Sequence, residues 1–600
     1  MNTPILKAKK GNTELNFYND GEYAKWKEEN NSNGWKIKYY KGLGTSTGKE
    51  FREYFEHKKI VGFEYNKTNS DNKIDLVFNK KRADDRKEWL EQYNRQSYMD
   101  TNKPLVSYEE FIDREFIHFS KYDCDRSIPN LMDGLKISLR KILYSAFKKG
   151  LYSEIKVAQF SGYVSEHSGY HHGEASLNSA IVGLAQNYVG SNNINLFVPN
   201  GQFGTRLQGG KDSASERYIF TLLNTITRYI YPQVDDNILT YLNDDGSPVE
   251  PLFYAPIVPM ILVNGSKGIG TGFSTDIMCY NLIQIIRYIV CKLTGQSFNE
   301  TFIPYYEGFK GTISSVSETK FLIKGVYEKI SGDKIRVSEL PIGFWTQTFK
   351  EHLENLMDTR SDNKKVLIAT VKDYDDLSKD TNVDFIITFH KNIIDELESN
   401  IDENGCNGLE KLLKLYTTNT TSNMHLFDAC ETLKKYNNVN TIIDDYYITR
   451  LELYDKRKTY MIHAIENELI ILSNKSKYIN ETLEGTIDLR RKNKDEVNKM
   501  LSNKNYDIIN DDIDFKYLVK MTMDSVTEEN VEKINNEYET KIKQLENIKT
   551  TSINQMWLNE LDKLEIEYIK YKEERHRLMN EFSNSNTKLK TKTKSVKKQC

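Results

Sequence analysis

The sequence predicts a multi-domain α+β protein, on three observations. Its 600 residues leave room for several domains, and a 38% hydrophobic content supports real cores. Between residues 249 and 430, strand-like segments (GTISSV, KIRVSEL, VDFIITFH) alternate with helical patterns, which reads as a mixed α/β unit. From Ile442 the pattern turns helical: Tyr454, Met461, Ile465, Leu469 and Leu472 step by sevens, fours and threes. A second run holds Val531, Ile534, Tyr538, Ile542, Leu545 and Ile548, and continues through Trp557, Leu561, Leu564 and Tyr568. Two long helices around a polar middle, about residues 485–528, predict an antiparallel coiled coil with a small helical tip.

Composition narrows the class further. Charged residues make up 28%, mean hydropathy is −0.63, and no apolar run reaches the ~18 residues of a membrane span. With no signal peptide in front, the reading is a soluble intracellular protein. The six cysteines are scattered without CxxC spacing, so neither a zinc site nor a disulfide framework is expected. A net charge of −3 does not announce a nucleic-acid binder, so any DNA surface must come from segregated charge.

Taken in order, residues 1–58 read as an incomplete domain: a strand and turn in TPILKAKKG, then strand, Gly loop and helix in WKIKYYKGLGTSTGKEFREYF. The loop fails as a P-loop, because Leu43 stands where GxxxxGK[ST] needs its first Gly, and Glu50 follows Lys49. Residues 59–124 hold a strand-like KIDLVF and a charged helix in KKRADDRKEWLEQY, and read as a connector. From Arg126 to Gly150, Leu139, Ile142, Leu143, Ala146 and Phe147 form an apolar helical stripe. Lys136, Arg140, Lys141, Lys148 and Lys149 fall largely off it, as a solvated basic face would. In KVAQFSGYVSEHSGYHHGEASL, His171, His172 and Glu174 tempt a metal assignment. Consecutive residues on a helix diverge by ~100°, unlike the i, i+4 pair of HExxH, so it is rejected. Leu177, Ala180, Ile181, Leu184 and Tyr188 then stripe the next helix.

The stretch GQFGTRLQGGKDSASERYIFTLL, residues 201–223, carries the chemistry. A Gly-rich loop bears Arg206 and Lys211, and Asp212, Ser213 and Ser215 read as helix-start signals. Ile219, Leu222, Leu223 and Ile226 follow at helical spacing, which sets Tyr218 where loop becomes helix, directly after Arg217. Tyr is an uncommon nucleophile, and most of the 38 tyrosines must be structural. A phenol with a pKa near ~10 needs a cation beside it and an acceptor that carries positive countercharge. Arg217, a basic glycine loop and exposed amides are what a phosphodiester would require. Further on, PMILVNGSKGIGTGFS reads as a strand into a Gly-rich loop, but Phe273 stands where GxGxxG needs its third Gly. The end, TKLKTKTKSVKKQC, holds Lys588, Lys590, Lys592, Lys594, Lys597 and Lys598 without an acid. It reads as a disordered tail that binds DNA nonspecifically or serves nuclear import.

The segment GQFGTRLQGGKDSASERYIFT resembles the active-site segment of type IIA DNA topoisomerases, specifically the eukaryotic topoisomerase II branch. Other segments agree in the same order: YYKGLGTST, RSIPNLMDGLKISLRKIL, KVAQFSGYVSEHSGYHHGEASL, AQNYVGSNNINLF, VEPLFYAPIVPMILVNGSKGIGTGFS and ELPIGFWTQT. The resemblance runs from about residue 3 to about 575. Gyrase and topoisomerase IV are similar but more distant, lacking the GGKDSAS wording.

The resemblance implies the end of a Toprim domain over 1–58 and a connector over 59–124. It implies a winged-helix domain over 125–248, a tower over 249–430, a coiled coil with C-gate dimer interface over 431–580, and the tail over 581–600. It implies Tyr218 as nucleophile, Arg217 as stabiliser of the phosphorane, and His171 and His172 at the cleaved phosphate. Lys41, Gly42, Gly44, Thr45, Lys136, Arg140, Lys141, Lys156, Gln202, Arg206 and Lys211 are implied DNA contacts, and Ile269 a wedge that bends the duplex. Mg²⁺ and ATP are implied on Toprim acids and an ATPase domain whose motifs this chain lacks, with no metal ligands here. The implied partners are double-stranded DNA, a second copy of the chain and an ATPase/Toprim half. The implied setting is the nucleus, or a viral replication compartment. Two positions depart from the pattern: Ile137 stands where the family has Pro, and Glu216 where relatives carry Pro or a small residue. The competing reading is a non-catalytic DNA-binding scaffold derived from the family.

Overall fold

The computed structural model describes residues 1–596 except 31–32, 41–42, 245–246, 358–359, 363–364, 368–369, 510–511 and 523–524; the side chains of 43, 358–369 and 580–600 also stand outside the description. Lys41 and Gly42 therefore lie outside the described residues.

The chain begins with a three-stranded antiparallel sheet, ordered Thr13–Phe17, Leu6–Lys10, Lys36–Tyr39. Leu6, Ala8 and Phe17 close it against Trp26 and Trp35. A capping box, Thr47 with Glu50, starts the helix Gly48–Glu56 just past the KGLGTS loop. In the next segment KIDLVF is not a strand: it ends the helix Lys67–Phe78, whose first amides are capped by Asn66. Its six residues alternate too poorly for a strand, and burying Leu76 and Val77 against Trp89 and Ile112 suits a helix. The two segments are tied together. Asn2 donates its amide to Lys59, Asn19 holds the Met99 carbonyl at 3.1 Å, and Thr101 donates to Glu22 at 2.5 Å.

The main core is built by three consecutive helices, Ile137–Lys149, Val157–Ser168 and Glu174–Ala185. The apolar stripe of the first is as predicted: Ile142, Leu143 and Ala146 are fully buried, with Leu139 and Phe147 at its margin. A short antiparallel pair, Ile155–Lys156 with Phe220–Thr221, and a hairpin, Tyr241–Asp244 with Ser247–Pro251, complete this region. The apolar run PMILVN, read as a strand, is the helix Met260–Asn264. A continuous apolar run does not reveal its period, and all of Met260 to Val263 are buried. The Gly-rich segment after it is a β-hairpin, Ser266–Ile269 paired with Ser274–Ile277.

The mixed unit includes two larger antiparallel sheets, of three and four strands. One is ordered Thr312–Ser317, Lys320–Lys324, Tyr416–Thr420; the other is Val326–Ser331, Lys334–Glu339, Phe385–Phe389, Val371–Asp376. Ile335, Val337, Phe349, Phe385 and Ile387 give it a core of its own.

The helix Val439–Leu483 then runs for 45 residues, and Glu528–Thr550 returns antiparallel along it. Ser476 meets Asn535 at one end and Glu466 meets Lys549 at the other. A small tip is closed by Tyr478, Ile487, Leu501, Phe515 and Leu518. The second apolar run proves to be two helices, because the chain turns extended at Thr551, whose carbonyl takes the Lys458 ammonium at 2.8 Å. The last helix, Ile553–Val596, leaves the coiled coil and packs Trp557, Leu561, Leu564 and Tyr568 into the main core. Its backbone stays helical to Val596, into the segment expected to be disordered. No Gly or Pro interrupts residues 553–596, and lysine has good helix propensity. Asp235 joins core to coiled coil: fully buried Arg450 and Arg457 both bond its carboxylate, at 2.8 and 2.5 Å. Among the described residues, no helix is long and apolar enough to cross a membrane.

Candidate active site and nucleic-acid interface

The loop that presents Tyr218 is fastened from several sides. Gly204, at φ +93, lies so close to the Gly210 backbone that a Cβ there would meet the Gly210 oxygen at 2.5 Å. Asp212 accepts the Thr205 amide at 2.9 Å and its hydroxyl at 2.5 Å. Gln186 donates its side-chain amide to the carbonyls of Phe203 and Gly210. The residues around Tyr218 are pinned in turn: the amides of Val157 and Ala158 bond the carbonyls of Ile219 and Glu216. Tyr218 itself starts no helix. Ile219, Thr221 and Leu223 are buried and alternate with half-buried Phe220 and Leu222, so the period is two. The apparent helical spacing across Ile226 joins this strand to a separate helix, Thr225–Ile230.

On this fixed support the Tyr218 phenol is 72% exposed, and the exposed Arg217 guanidinium lies 5.9 Å from its ring centre. Glu216 turns to its neighbour, accepting from the Ser215 hydroxyl at 3.4 Å, and forms no described ion pair with Arg217. Gln202 and Lys211 are exposed on the same loop. Lys156 is exposed on the strand paired to Phe220, with its ammonium 5.9 Å from that ring.

Three expected DNA contacts are committed inside the protein. Arg140 is buried and bonds Asp133 at 2.6 and 3.1 Å and the Leu135 carbonyl at 3.1 Å. Lys141 gives its ammonium to Glu250 at 2.7 Å and the Ser168 carbonyl at 2.6 Å. Arg206 is buried against Glu339 of the mixed unit at 2.6 Å. In each case a desolvated cation is held by a carboxylate, which leaves it unavailable to a phosphate. Of the N-terminal loop, Gly44 and Thr45 are exposed in a short turn, Leu43–Thr45.

His171 and His172 sit in the loop before the helix Glu174–Ala185, and they diverge. His171 Nε2 meets Asp244 at 3.3 Å, whereas His172 Nε2 meets the Tyr122 hydroxyl at 2.9 Å. They stand in a loop, so the ~100° divergence of neighbours on a helix does not describe them. Among the described residues, no three His, Cys, Asp or Glu side chains group as metal ligands.

His172 lines a cleft of about 670 Å³ together with Arg126, Lys136, Tyr170, Lys267 and Ile269. Lys136 donates to the Lys267 carbonyl at 2.7 Å, and burial pushes its pKa down. Ile269 stands 84% exposed at the end of its hairpin strand. The hairpin is seated on the helix Ile117–Ser127: a Cβ on Gly268 would meet the Ser127 oxygen at 2.0 Å, and Thr271 donates to Asp123 at 3.0 Å. Sequence reading missed Arg126, Lys267 and Tyr122. Lys267 was within reach, since it lies two residues before Ile269 on the same strand face. Arg126 and Tyr122 carried no periodic signal. Tyr218 and Arg217 do not line this cleft.

Comparison with known proteins accounts for nearly the whole chain. The family model of the DNA gyrase/topoisomerase IV A subunit matches residues 126–562, and the C-terminal associated domain of TOPRIM matches residues 1–124, across both segments of the N-terminal unit. DNA topoisomerase 2 of Plasmodium falciparum (isolate K1 / Thailand) is 40% identical over 94% of this chain and 42% of its own length. DNA topoisomerase 2-alpha of Gallus gallus is 38% identical over 93% of this chain and 38% of its own. The chain thus spans about two fifths of the length of these relatives. A crystal structure of the Plasmodium falciparum topoisomerase II DNA-binding, cleavage and re-ligation domain superimposes with a TM-score of 0.83 at 40% identity, covering 97% of this chain and 80% of that one. This chain belongs to the type IIA DNA topoisomerases, on the topoisomerase II branch, and corresponds to their cleavage and religation region.

Proposed function

We propose that this chain is the DNA-cleaving and rejoining part of a topoisomerase II. The Tyr218 oxygen attacks a backbone phosphorus, the bond to the 3′ oxygen breaks, and its electron pair leaves with that oxygen. The products are a 5′-phosphotyrosine link and, after protonation, a free 3′ hydroxyl. Resealing is the reverse step. Tyr218 from each of two copies opens both strands, a second duplex passes, and the break closes. The observation that carries this reading is an exposed phenol with Arg217 beside it on a loop whose backbone is pinned at Gln202, Thr205, Gly210, Glu216 and Ile219. Arg217 stabilises the charge that builds on the phosphorane. The basic cleft of Arg126, Lys136 and Lys267 suits a DNA backbone, and Ile269 at its rim suits a wedge into the base stack. In this reading residues 125–248 form the winged-helix domain, 249–430 the tower, and 431–580 the coiled coil and dimer gate.

The acids around Tyr218 do not fit a Mg²⁺ site, since Asp212 is taken up by Thr205 and Glu216 turns to Ser215. Mg²⁺ and ATP are assigned to a Toprim and an ATPase part that works with this chain, on double-stranded DNA and in the nucleus or a viral replication compartment.

The test is covalent trapping. In an assembly with that partner part, detergent should capture DNA on the wild-type chain and none on Tyr218→Phe, with noncovalent DNA affinity within a few-fold. Adducts on the Phe variant would sink the assignment.

A further inference from the structure

We propose that Tyr122 is a positioning residue that fixes the protonation form of His172, so that its free ring nitrogen faces the basic cleft as a hydrogen-bond donor. This inference rests on the proposed function for its purpose, though not for its geometry.

The helix Ile117–Ser127 holds both sides of the cleft. Through Ser127, Cys124 and Asp123 it seats the wedge hairpin: Ser127 abuts Gly268, the Cys124 thiol donates to the Thr271 carbonyl, and Asp123 accepts from the Thr271 hydroxyl. From the same helix, Tyr122 reaches across to His172, its hydroxyl 2.9 Å from Nε2 and the ring centres 6.3 Å apart. Tyr170 packs edge-on to the other side of His172, with ring centres 5.4 Å apart. The imidazole is thus held between two aromatic rings, with one nitrogen already used.

The ring's remaining nitrogen is Nδ1. The cleft is lined by three cations, Arg126, Lys136 and Lys267. Arg126 also bonds Asp123 at 2.7 Å and Lys267 pairs with Asp276 at 3.1 Å, but unlike Arg140, Lys141 and Arg206 both side chains are exposed, so the cleft can still take an anion such as a phosphate oxygen. A neutral imidazole can serve such a guest only from the nitrogen that carries the proton. In the proposed arrangement the Tyr122 hydroxyl donates to Nε2, which leaves the proton on Nδ1 and gives the cleft a donor; the reverse arrangement, with Nε2–H donating to the hydroxyl, is the one the experiment below would detect. Without that phenol, the side chain reverts to the Nε2–H form favoured by free histidine, and Nδ1 presents a lone pair to the phosphate. His171 is not an equivalent, because its own Nε2 is directed at Asp244.

The experiment uses the full chain labelled with ¹⁵N-histidine, with the His172 signals assigned through His172→Gln. At a pH where the ring is neutral, the expected wild-type signature is a protonated Nδ1 and an unprotonated Nε2. In Tyr122→Phe the protonation should move to Nε2 while the His171 signals stay in place. Tyr122 is 47% exposed, so the Phe variant removes one hydroxyl and little packing. In the assembled enzyme, the same variant should slow adduct formation at saturating DNA about tenfold, the worth of one hydrogen bond, with DNA affinity within about twofold. A wild-type His172 already protonated on Nε2, or unaltered signals in the Phe variant, overturns the proposal. So does an unaltered adduct rate. Failure of the wild-type assembly to form any adduct would instead bring down the proposed function, and the nitrogen signals would still report the tautomer separately.

Discussion

Arg140 and Lys136 lie four residues apart at the start of one helix, both off its apolar stripe, yet their surroundings assign them opposite work. Lys136 looks into the cleft, whereas Arg140 folds back onto Asp133, a carboxylate that also accepts the Tyr254 amide at 2.9 Å. Periodicity could tell that both avoid the stripe, but it could not tell which would find a carboxylate seven residues earlier. The same blindness affected Arg206, whose partner Glu339 is 133 positions away. Tyr218, Arg217 and Ile269 could be singled out from their neighbours in sequence, and all three are exposed in the structure. Arg140→Ala should therefore act as a core mutation. It leaves Asp133 charged, buried and unpaired, which costs about 3–5 kcal/mol. The expected result is a clear fall in the denaturant midpoint, with the salt dependence of DNA binding unchanged in the folded fraction. A normal midpoint with a shallower salt slope would return Arg140 to the DNA surface.

At the scale of elements, what escaped the sequence was mostly the choice between helix and strand in short apolar runs. KIDLVF and PMILVN became helices, and the residues after Tyr218 became a strand, each decided by burial partners far along the chain. The hairpin of Ser266–Ile269 and Ser274–Ile277 shows how a short element is fixed. Ile269→Ala should reduce DNA bending and cleavage while thermal stability holds, because the side chain touches mainly solvent. Gly268→Ala should lower stability as well, since its Cβ would overlap the Ser127 oxygen. Bending measured by fluorescence transfer, beside melting curves, separates the two; unchanged bending in Ile269→Ala would make that side chain an ordinary loop anchor. The N-terminal capping box offers a pH test. Burial works against ionising Glu50, but the Lys38 ammonium, the Thr47 amide and the Tyr40 hydroxyl outweigh it and lower its pKa from 4.5 to about 2. A carboxylate depressed in the fold stabilises fully above its unfolded pKa and loses that contribution as pH falls through the folded one. The melting difference between wild type and Glu50→Gln should thus be complete above pH 4.5 and close towards pH 2. A difference independent of pH would show that Glu50 does not titrate as argued.

Across the whole molecule, the order of units could be read from the sequence, but the joints between them could not. Nothing in the helical repeat from 439 onward foretells that Asp235 would take both Arg450 and Arg457, or that the last helix would turn back at Thr551 to lay Trp557 on Tyr454 at 5.2 Å. These joints make one body of the core that carries Tyr218 and the coiled coil, yet that body supplies only part of what the proposed reaction needs. Around Tyr218 there are cations and a pinned phenol, but among the described residues no acids group there to hold a metal. Asp244 is engaged with His171, and Asp512 and Asp514 lie in the distal tip with Lys516 and Lys494. A phosphodiester repels an incoming phenolate, and its leaving alkoxide needs a stabiliser. Lewis-acid help is worth several kcal/mol, and each ~1.4 kcal/mol is tenfold in rate. The purified 600-residue chain should therefore bind DNA but neither cleave nor relax it efficiently with ATP and Mg²⁺. Adding a polypeptide that carries an ATPase and Toprim acids should restore adduct formation first and ATP-dependent relaxation with it. Plasmid relaxation and detergent trapping, with and without that partner, decide the matter, and vigorous ATP-dependent relaxation by the chain alone would mean that its own side chains assemble both sites.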